Sequence, residues 1–376
     1  MSISFEQNRR TTRRGARWSW MAVLLAFSLV AAACGGDDDD DTTTGSTEAD
    51  SGDGASASGG ELEGSLSLGY FPNVTHAPAI IGVEDGLFED ALGPGVELNL
   101  ETFNAGTEAI EALFAGDIDA SFIGPNPAIN GFAQSDGEAL RIVSGTTSGG
   151  AALVVADGID SSDDLEGKTL ATPSLGNTQD VALRAWLKEE GFETDTAGGG
   201  DVEIIPQDNA DSLTAFQDGA IDGAWVPEPW ATRLVDEGGG HVLVDEADLW
   251  PEGQFVTTHL IVAADYLDEH PDIVKALLTG LLDAIDVAND DAAAAQTTVN
   301  DGIEAITTKR LEDSTISAAW ENLTFTADPI ASSLQKSKDD AVAAGLLDEV
   351  DLDGIYDLTL LNELLTERGE PEVEGL

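Results

Sequence analysis

The sequence predicts an α/β protein of two similar lobes, each built on a mixed, mostly parallel sheet. Two hinge crossovers join the lobes, and a helical C-terminal segment completes them. Three observations predict this. One phrase occurs twice: residues 112–127 and 215–229 each read as a helix end, a glycine stop, an Ile-Asp entry, a short apolar strand and a Pro-x-Pro turn. Gly116 and Gly219 are suited to the left-handed position that ends a helix. Strand-like runs also alternate with helical stretches, as parallel α/β sheets require. From Pro271 onwards, Ile273, Val274, Leu277, Leu278, Leu281, Leu282 and Ile285 recur at helical spacing.

Taken in order, the first lobe (65–155) opens with a strand at 66–71, where apolar residues alternate, followed by a loop at 72–78 and a helix at 79–87. A strand at 96–103 and a helix at 106–115 lead into the first copy of the phrase. A strand follows at 140–145. The apolar strand at 151–156 crosses towards the second lobe (156–254). That lobe repeats the scheme: strand 169–172, loop 173–179, helix 180–190, strand 202–206, helix 211–218, the second copy of the phrase, helix 230–237 and strand 242–244. The chain returns along strand 255–263. Helices at 301–307, 314–323, 329–344 and 358–368 are expected to pack back on the first lobe, within a segment 255–376. In each phrase the two prolines cannot continue a ladder, so a rigid exit loop is expected at the carboxyl end of a strand. Open α/β sheets bind ligands there. The alternative is chance likeness of two helix–strand connections.

The first 33 residues read as an export signal. Arg9, Arg10, Arg13, Arg14 and Arg17 precede an apolar core at 18–30 and the small residues Ala31, Ala32 and Ala33. Cys34 is the only cysteine. A sole cysteine at the end of such a leader points to lipid attachment through its thiol, because a free reactive thiol is a liability in an oxidising compartment. The alternative is plain secretion after cleavage at Ala-x-Ala. Residues 34–64 form an acidic tether, rich in Gly, Asp, Ser and Thr and carrying five successive aspartates at 37–41. Such a segment buries too little to order itself. The aspartate run lacks the spaced glycine and closing glutamate of a calcium loop.

The formal net charge of −56 excludes nucleic acid as a partner. It also leaves no membrane role beyond the anchor. No metal or cofactor site is legible. His76, His241, His259 and His270 lack ligand spacing, and no cysteine pair exists. No phosphate-binding glycine loop is present, and the segment 172–176 misses the nucleophile elbow at its first glycine, so no catalytic residue is assigned.

Several short segments carry a family likeness: Gly69-Tyr70-Phe71-Pro72, Ala77-Pro78, Gly86-Leu87-Phe88, Ala115-Gly116-x-Ile118-Asp119, Pro125-x-Pro127-Ala128-Ile129, Pro227-Glu228-Pro229 and His270-Pro271-Asp272-Ile273-Val274. In this order and spacing, over about 66–365, the chain resembles the periplasmic substrate-binding proteins of ABC importers, in the nitrate/sulfonate/taurine branch. The resemblance implies the type II two-lobed fold with solute held in the cleft. It also implies a monomer that delivers a small anionic solute to a membrane permease served by a separate ATPase. An alkanesulfonate or taurine-like solute is the leading expectation. Nitrate, bicarbonate or another small solute is the alternative, as is a thiamine-precursor-like enzyme on the same fold, or a sensor ectodomain. The chain departs from an ordinary anion binder in its scarcity of lysine and arginine, 16 in all.

An anion can be held without cations, by helix N-termini. Gly176, Asn177, Thr178 and Gln179 open a helix after a strand and are the expected donors, although Asp180 competes for the same N–H groups. Asn73, Thr75 and His76 form the corresponding group in the first lobe. Gly124, Asn126, Ser148 and Gly149 lie at other strand ends. Trp225 is expected to line a tail pocket or serve as core, and Glu228 to meet an ammonium such as that of taurine, to contact the other lobe, or to serve a surface or hinge role.

Overall fold

The structure is a computed structural model that describes residues 61–376. The expected export signal, Cys34 and the expected tether up to residue 60 lie outside the described residues. In the first lobe β1 (Gly64–Tyr70) buries Leu66, Leu68 and Tyr70, the alternate positions of a strand. The expected helix at 79–87 is two helices, α1 (Ala77–Glu84) and α2 (Leu87–Leu92). They are broken at Gly86, whose φ of +72° belongs to the left-handed region. β2 (Val96–Thr102), α3 (Gly106–Ala115), β3 (Ala120–Ile123), α4 (Pro125–Gln134) and β4 (Leu140–Gly149) follow. The first Pro-x-Pro is therefore not an exit loop. Pro125 and Pro127 occupy the first turn of α4, where backbone N–H groups have no intrahelical partner to lose.

The second lobe contains β5 (Ala151–Val155), β6 (Thr169–Thr172), α5 (Thr178–Glu189), β7 (Glu203–Pro206), α6 (Asn209–Gln217), β8 (Gly223–Pro227), α7 (Trp230–Asp236) and β9 (His241–Asp245). β10 (Val256–Ala263) returns to the first lobe. The remaining elements are α8 (Ala264–Glu269), α9 (Pro271–Asp290), α10 (Ala292–Thr307), α11 (Asp313–Glu321), β11 (Leu323–Phe325), α12 (Ala331–Ala343) and α13 (Thr359–Arg368).

The two sheets have the strand orders β11-β4-β10-β3-β1-β2 and β7-β6-β8-β5-β9. Apart from β11 they match strand for strand. β2-β1-β3-β10-β4 corresponds to β7-β6-β8-β5-β9, with the same two parallel and two antiparallel pairings in the same places. The duplicated phrase thus marks a duplicated fold, with β3 and β8 at equivalent central positions. The sheets are mixed and mostly parallel, as expected: four strands of each run the same way. The crossover strand, β10 in the first sheet and β5 in the second, runs against its two neighbours, with β11 a further reversed strand at the edge of the first. β5 belongs wholly to the second sheet, so the sheets divide at Gly150, earlier than the expected boundary at 155.

Both faces of each sheet are covered, which explains the continuous apolar strands. In β5, Leu153 joins Leu170, Leu183 and Trp186 on one face, while its neighbour Val154 joins Leu213, Phe216 and Val226 on the other. In the first lobe, α9 packs on α1 and α2 and buries Leu277 and Leu281 with Phe88, while Phe71, Ile110 and Phe132 fill the opposite face. The C-terminal helices do not all pack on the first lobe. α12 lies against α5 as well as α4, and α11 lies against α7, so this segment spans both lobes.

Candidate functional site

Four helices from the two lobes begin around one cavity. Its lining includes Gly106 at the start of α3, Gly124 and Pro127 at the start of α4, Asn177, Thr178 and Gln179 at the start of α5, and Asn209 at the start of α6. Phe71, Asn73, Thr75 and His76 close it from the end of β1, and Asn104, Pro173, Pro227 and Thr257 complete the wall. The strand-to-helix junctions of both sheets therefore converge, as open α/β sheets arrange their ligand sites. The first N–H groups of a helix have no intrahelical acceptor and carry partial positive charge, although α4, with Pro125 and Pro127 in its first turn, contributes its dipole more than its N–H groups. The chain has 72 acidic residues, yet none lines this cavity.

The lobes are closed over it. A Cβ added at Gly124 would fall 2.6 Å from Thr178 Oγ1, so only glycine permits this approach of the two lobes. The Trp230 indole N–H donates across the cleft to Asn73 Oδ1 at 2.9 Å, and Asn130 Nδ2 donates to the Gly176 carbonyl at 3.2 Å. The enclosed space is about 30 Å³, room for one or two water molecules.

Three buried polar atoms of the lining have no partner within the chain: His76 Nδ1, Thr178 Oγ1 and Asn209 Oδ1. Buried polar groups are normally paired, so such a cluster marks a place for a ligand or ordered water. Burial lowers the His76 pKa to about 3, so its ring is neutral at physiological pH. The ring stacks on Phe71 with centroids 4.5 Å apart. The cavity therefore offers hydrogen bonds and helix ends, with no full charge of either sign.

Asn73, Thr75, His76, Gly124, Asn177, Thr178 and Gln179 thus meet in the cavity. The other expected residues do not. The Gly176 N–H donates to Asp180 Oδ2 at 2.9 Å, so the competition from Asp180 is realised. Asp180 also accepts from Thr172 Oγ1 and pairs with the buried Arg184 at 3.0 Å. Asn126 Nδ2 donates to the Ser337 carbonyl of α12, away from the cavity. Ser148 and Gly149 are held in the crossover, where Gly149 N–H donates to Phe255 O and its carbonyl accepts from Thr257 Oγ1. Trp225 is core: it is fully buried and donates through Nε1 to Glu246 Oε2 at 2.7 Å. Glu228 faces away too, accepting from the Thr232 N–H and hydroxyl and from Asn322 Nδ2. Sequence reasoning missed Phe71, Asn104 and Asn209. One signal was available for the asparagines, since Asn104 and Asn209 stand at matching strand-to-helix junctions, after β2 and β7.

Among the described residues, no group of three metal-ligating side chains could hold an ion, and no helix is long and apolar enough to cross a membrane.

Two lobes of matched strand order, closing on a polar cavity at their strand ends, define the periplasmic-binding-protein fold. Solved structures share it. The alkanesulfonate-binding protein SsuA from Xanthomonas axonopodis pv. citri bound to MOPS superposes with a TM-score of 0.63 at 20% identity, covering 76% of this chain and 94% of that one. The periplasmic nitrate-binding protein NrtA from Synechocystis PCC 6803 gives 0.66 at 18% identity, covering 81% and 88%. The taurine-binding periplasmic protein of Escherichia coli K12 is 30% identical over 216 residues, 57% of this chain. That alignment spans 64% of the taurine-binding protein, less than two thirds of its length. The chain belongs to the NMT1-like family, which matches residues 59–300.

Proposed function

We propose that the chain is an extracytoplasmic solute-binding protein, lipid-anchored through Cys34, that captures a small organosulfonate and delivers it to an ABC importer. The permease and its ATPase are then separate chains. The observation that carries this reading is the convergence of four helix N-termini on a cavity without a carboxylate. The named relatives, which bind taurine, alkanesulfonate and nitrate, are binding proteins for small oxyanionic solutes and support it. A binding role also accounts for the lining better than an enzyme does, since neutral, buried His76 is the only titratable group there.

The position of Glu228 refines the solute. A taurine ammonium needs an acidic partner once it leaves water, and Glu228 spends its oxygens on Thr232 and Asn322. A plain alkanesulfonate suits the lining better than taurine. Nitrate or bicarbonate is the second reading, favoured by the closed cavity's small volume of about 30 Å³. Calorimetry with methanesulfonate, ethanesulfonate, taurine, nitrate and bicarbonate tests the assignment. The sulfonates should bind most tightly, with taurine at least roughly tenfold weaker than ethanesulfonate, the cost of an unpaired charge. Binding of none of these anions would overturn the reading.

A further inference from the structure

Beside the cavity lies a crevice of about 720 Å³, walled by both lobes and by the segment after α10. It shares Asn73, Asn104 and Asn209 with the cavity, so these three side chains are all that is common to the two walls and stand between the two spaces. We infer that the ligand site continues into this crevice, and that the solute is an oxyanion carrying a planar apolar arm. The inference rests on the oxyanion reading of the cavity and names the rest of the molecule.

Aromatic rings lead from one space to the other. His76 stacks on Phe71 within the cavity, and Phe71 meets Phe103 edge-on at 6.4 Å. Phe103 is half-buried and lines the crevice. Facing it from the second lobe is Trp230, whose ring is fixed at both ends. Its indole N–H is held by Asn73, and the Arg233 guanidinium lies over the ring, 4.5 Å from its centroid. A ring fixed before ligand arrives loses little entropy on contact, which is how aromatic anchors earn affinity. Leu213, Ile303 and Leu311 supply apolar surface behind it.

Electrostatics favour the same occupant. In a chain of net charge −56, the crevice carries three cations (Arg233, Lys309 and Arg310) against three carboxylates (Asp208, Glu237 and Glu312). Arg233 is paired with Glu237, and Arg310 with Asp301 and Glu304, so the lining offers little to attract a second charge on the arm. The volumes divide accordingly: the cavity has space for a head group alone, and the crevice for a ring or two.

The test is calorimetry on the exported protein with methanesulfonate, benzenesulfonate and 2-naphthalenesulfonate, which share one head group. Benzenesulfonate should bind at least roughly tenfold tighter than methanesulfonate, and naphthalenesulfonate no weaker than benzenesulfonate. Trp230→Phe keeps a ring and loses the bond to Asn73, so it should weaken all three while preserving their ratios. Trp230→Ala and Phe103→Ala should compress the ratio to about threefold or less; circular dichroism checks that each variant is folded. If methanesulfonate binds and the arm adds nothing, the extended site is wrong and the oxyanion reading stands. If no member of the series binds, both fall. If the ratio survives Trp230→Ala and Phe103→Ala, the arm lies elsewhere and the crevice is not its site.

Discussion

Asp119 and Asp222 do the same work in the two lobes. The Asp119 N–H donates to the Ser67 carbonyl at 2.8 Å, and its Oδ2 accepts from the Ser67 N–H at 2.8 Å. Asp222 repeats both bonds with Thr169, at 2.8 and 2.9 Å. Each aspartate's carbonyl also accepts from the antiparallel crossover strand, from the N–H of Ala263 at the end of β10 in one lobe and of Ala156 just past β5 in the other. The Ile-Asp of the duplicated phrase is thus a splice. It joins the phrase strand to a parallel neighbour and to the crossover strand of its lobe.

Removing either splice should destabilise its own lobe. Asp119→Ala and Asp222→Ala should each cost about 1–2 kcal/mol, the usual penalty for stripping a partner from a backbone N–H. The two effects should be nearly additive, because the residues share no partner. Lys168→Ala, which breaks only the half-exposed pair with Asp222 at 3.4 Å, should cost well under about 1 kcal/mol. Urea denaturation of the three variants and the double variant checks this; a Lys168 effect equal to that of Asp222 would contradict it.

The fold class was legible because duplication leaves local marks: a glycine cap, an Ile-Asp pair and two prolines at matching points. The segments 71–76 and 173–179 were legible as strand-to-helix junctions, and Asn73, His76 and Thr178 of these segments do line one cavity. Other residues were hidden by the physics of covered sheets. In β8 both faces are buried, so no polar alternation tells which way Trp225 points, and it faces Glu246 and Trp186 instead of the cleft. Glu228 sits one residue past β8 and finds partners on α7 and after α11, a contact of distant segments that no local pattern encodes. The helical spacing of α12 announces a buried face but not which lobe covers it.

Closure should depend on the bare Cα of Gly124. Gly124→Ala places a methyl against Thr178 Oγ1, and the lobes must part to admit it. Small-angle scattering should show a larger radius of gyration with saturating solute than wild type has, and affinity should fall by at least roughly tenfold, or about 1.4 kcal/mol. Adding Thr178→Ala should restore the compact form, though not the affinity, since it removes a candidate donor. A single variant as compact as wild type would refute the tight lobe contact.

Glu246 should give the protein an inverted acid response. Burial raises its pKa to about 7, against hydrogen bonds from Trp225 and Trp250 and the pull of Lys336. The folded chain holds this proton more tightly than the unfolded chain, so its contribution to stability falls as pH rises from about 4.5 to 7 and is constant above. Glu246→Gln should remove this component and gain roughly 2–4 kcal/mol on wild type between those limits. His76 and His259, held by burial near 3 and 4, act with the opposite sign and cost stability as pH falls below 6.5. Both histidines remain in the variant, so the difference between the two denaturation profiles isolates Glu246.

Solute affinity should not follow histidine titration. With His76 neutral down to about pH 3, affinity for a sulfonate should be flat between pH 5.5 and 8, measured by calorimetry. A rise of tenfold towards pH 5.5 that vanishes in His76→Asn would mean that a charged imidazole holds the anion.

Cys34→Ala should abolish lipid labelling and release the protein from membranes. Retention of the variant in salt-washed membranes would refute attachment through this thiol.

The helix α12 touches both lobes. Asn126 of α4 donates to its Ser337 carbonyl from a buried site, while Lys188 of α5 reaches the Ala343 carbonyl from an exposed one. The buried bond is the costlier to break, so α12 should ride with the first lobe and slide on α5 when solute leaves. Hydrogen exchange that changes around 184–189 and not around 125–130 on solute release would bear this out. The two crossovers alone would permit a wide swing; with α12 bridging α4 and α5, the mouth should open like a casement on a stay, through a limited angle.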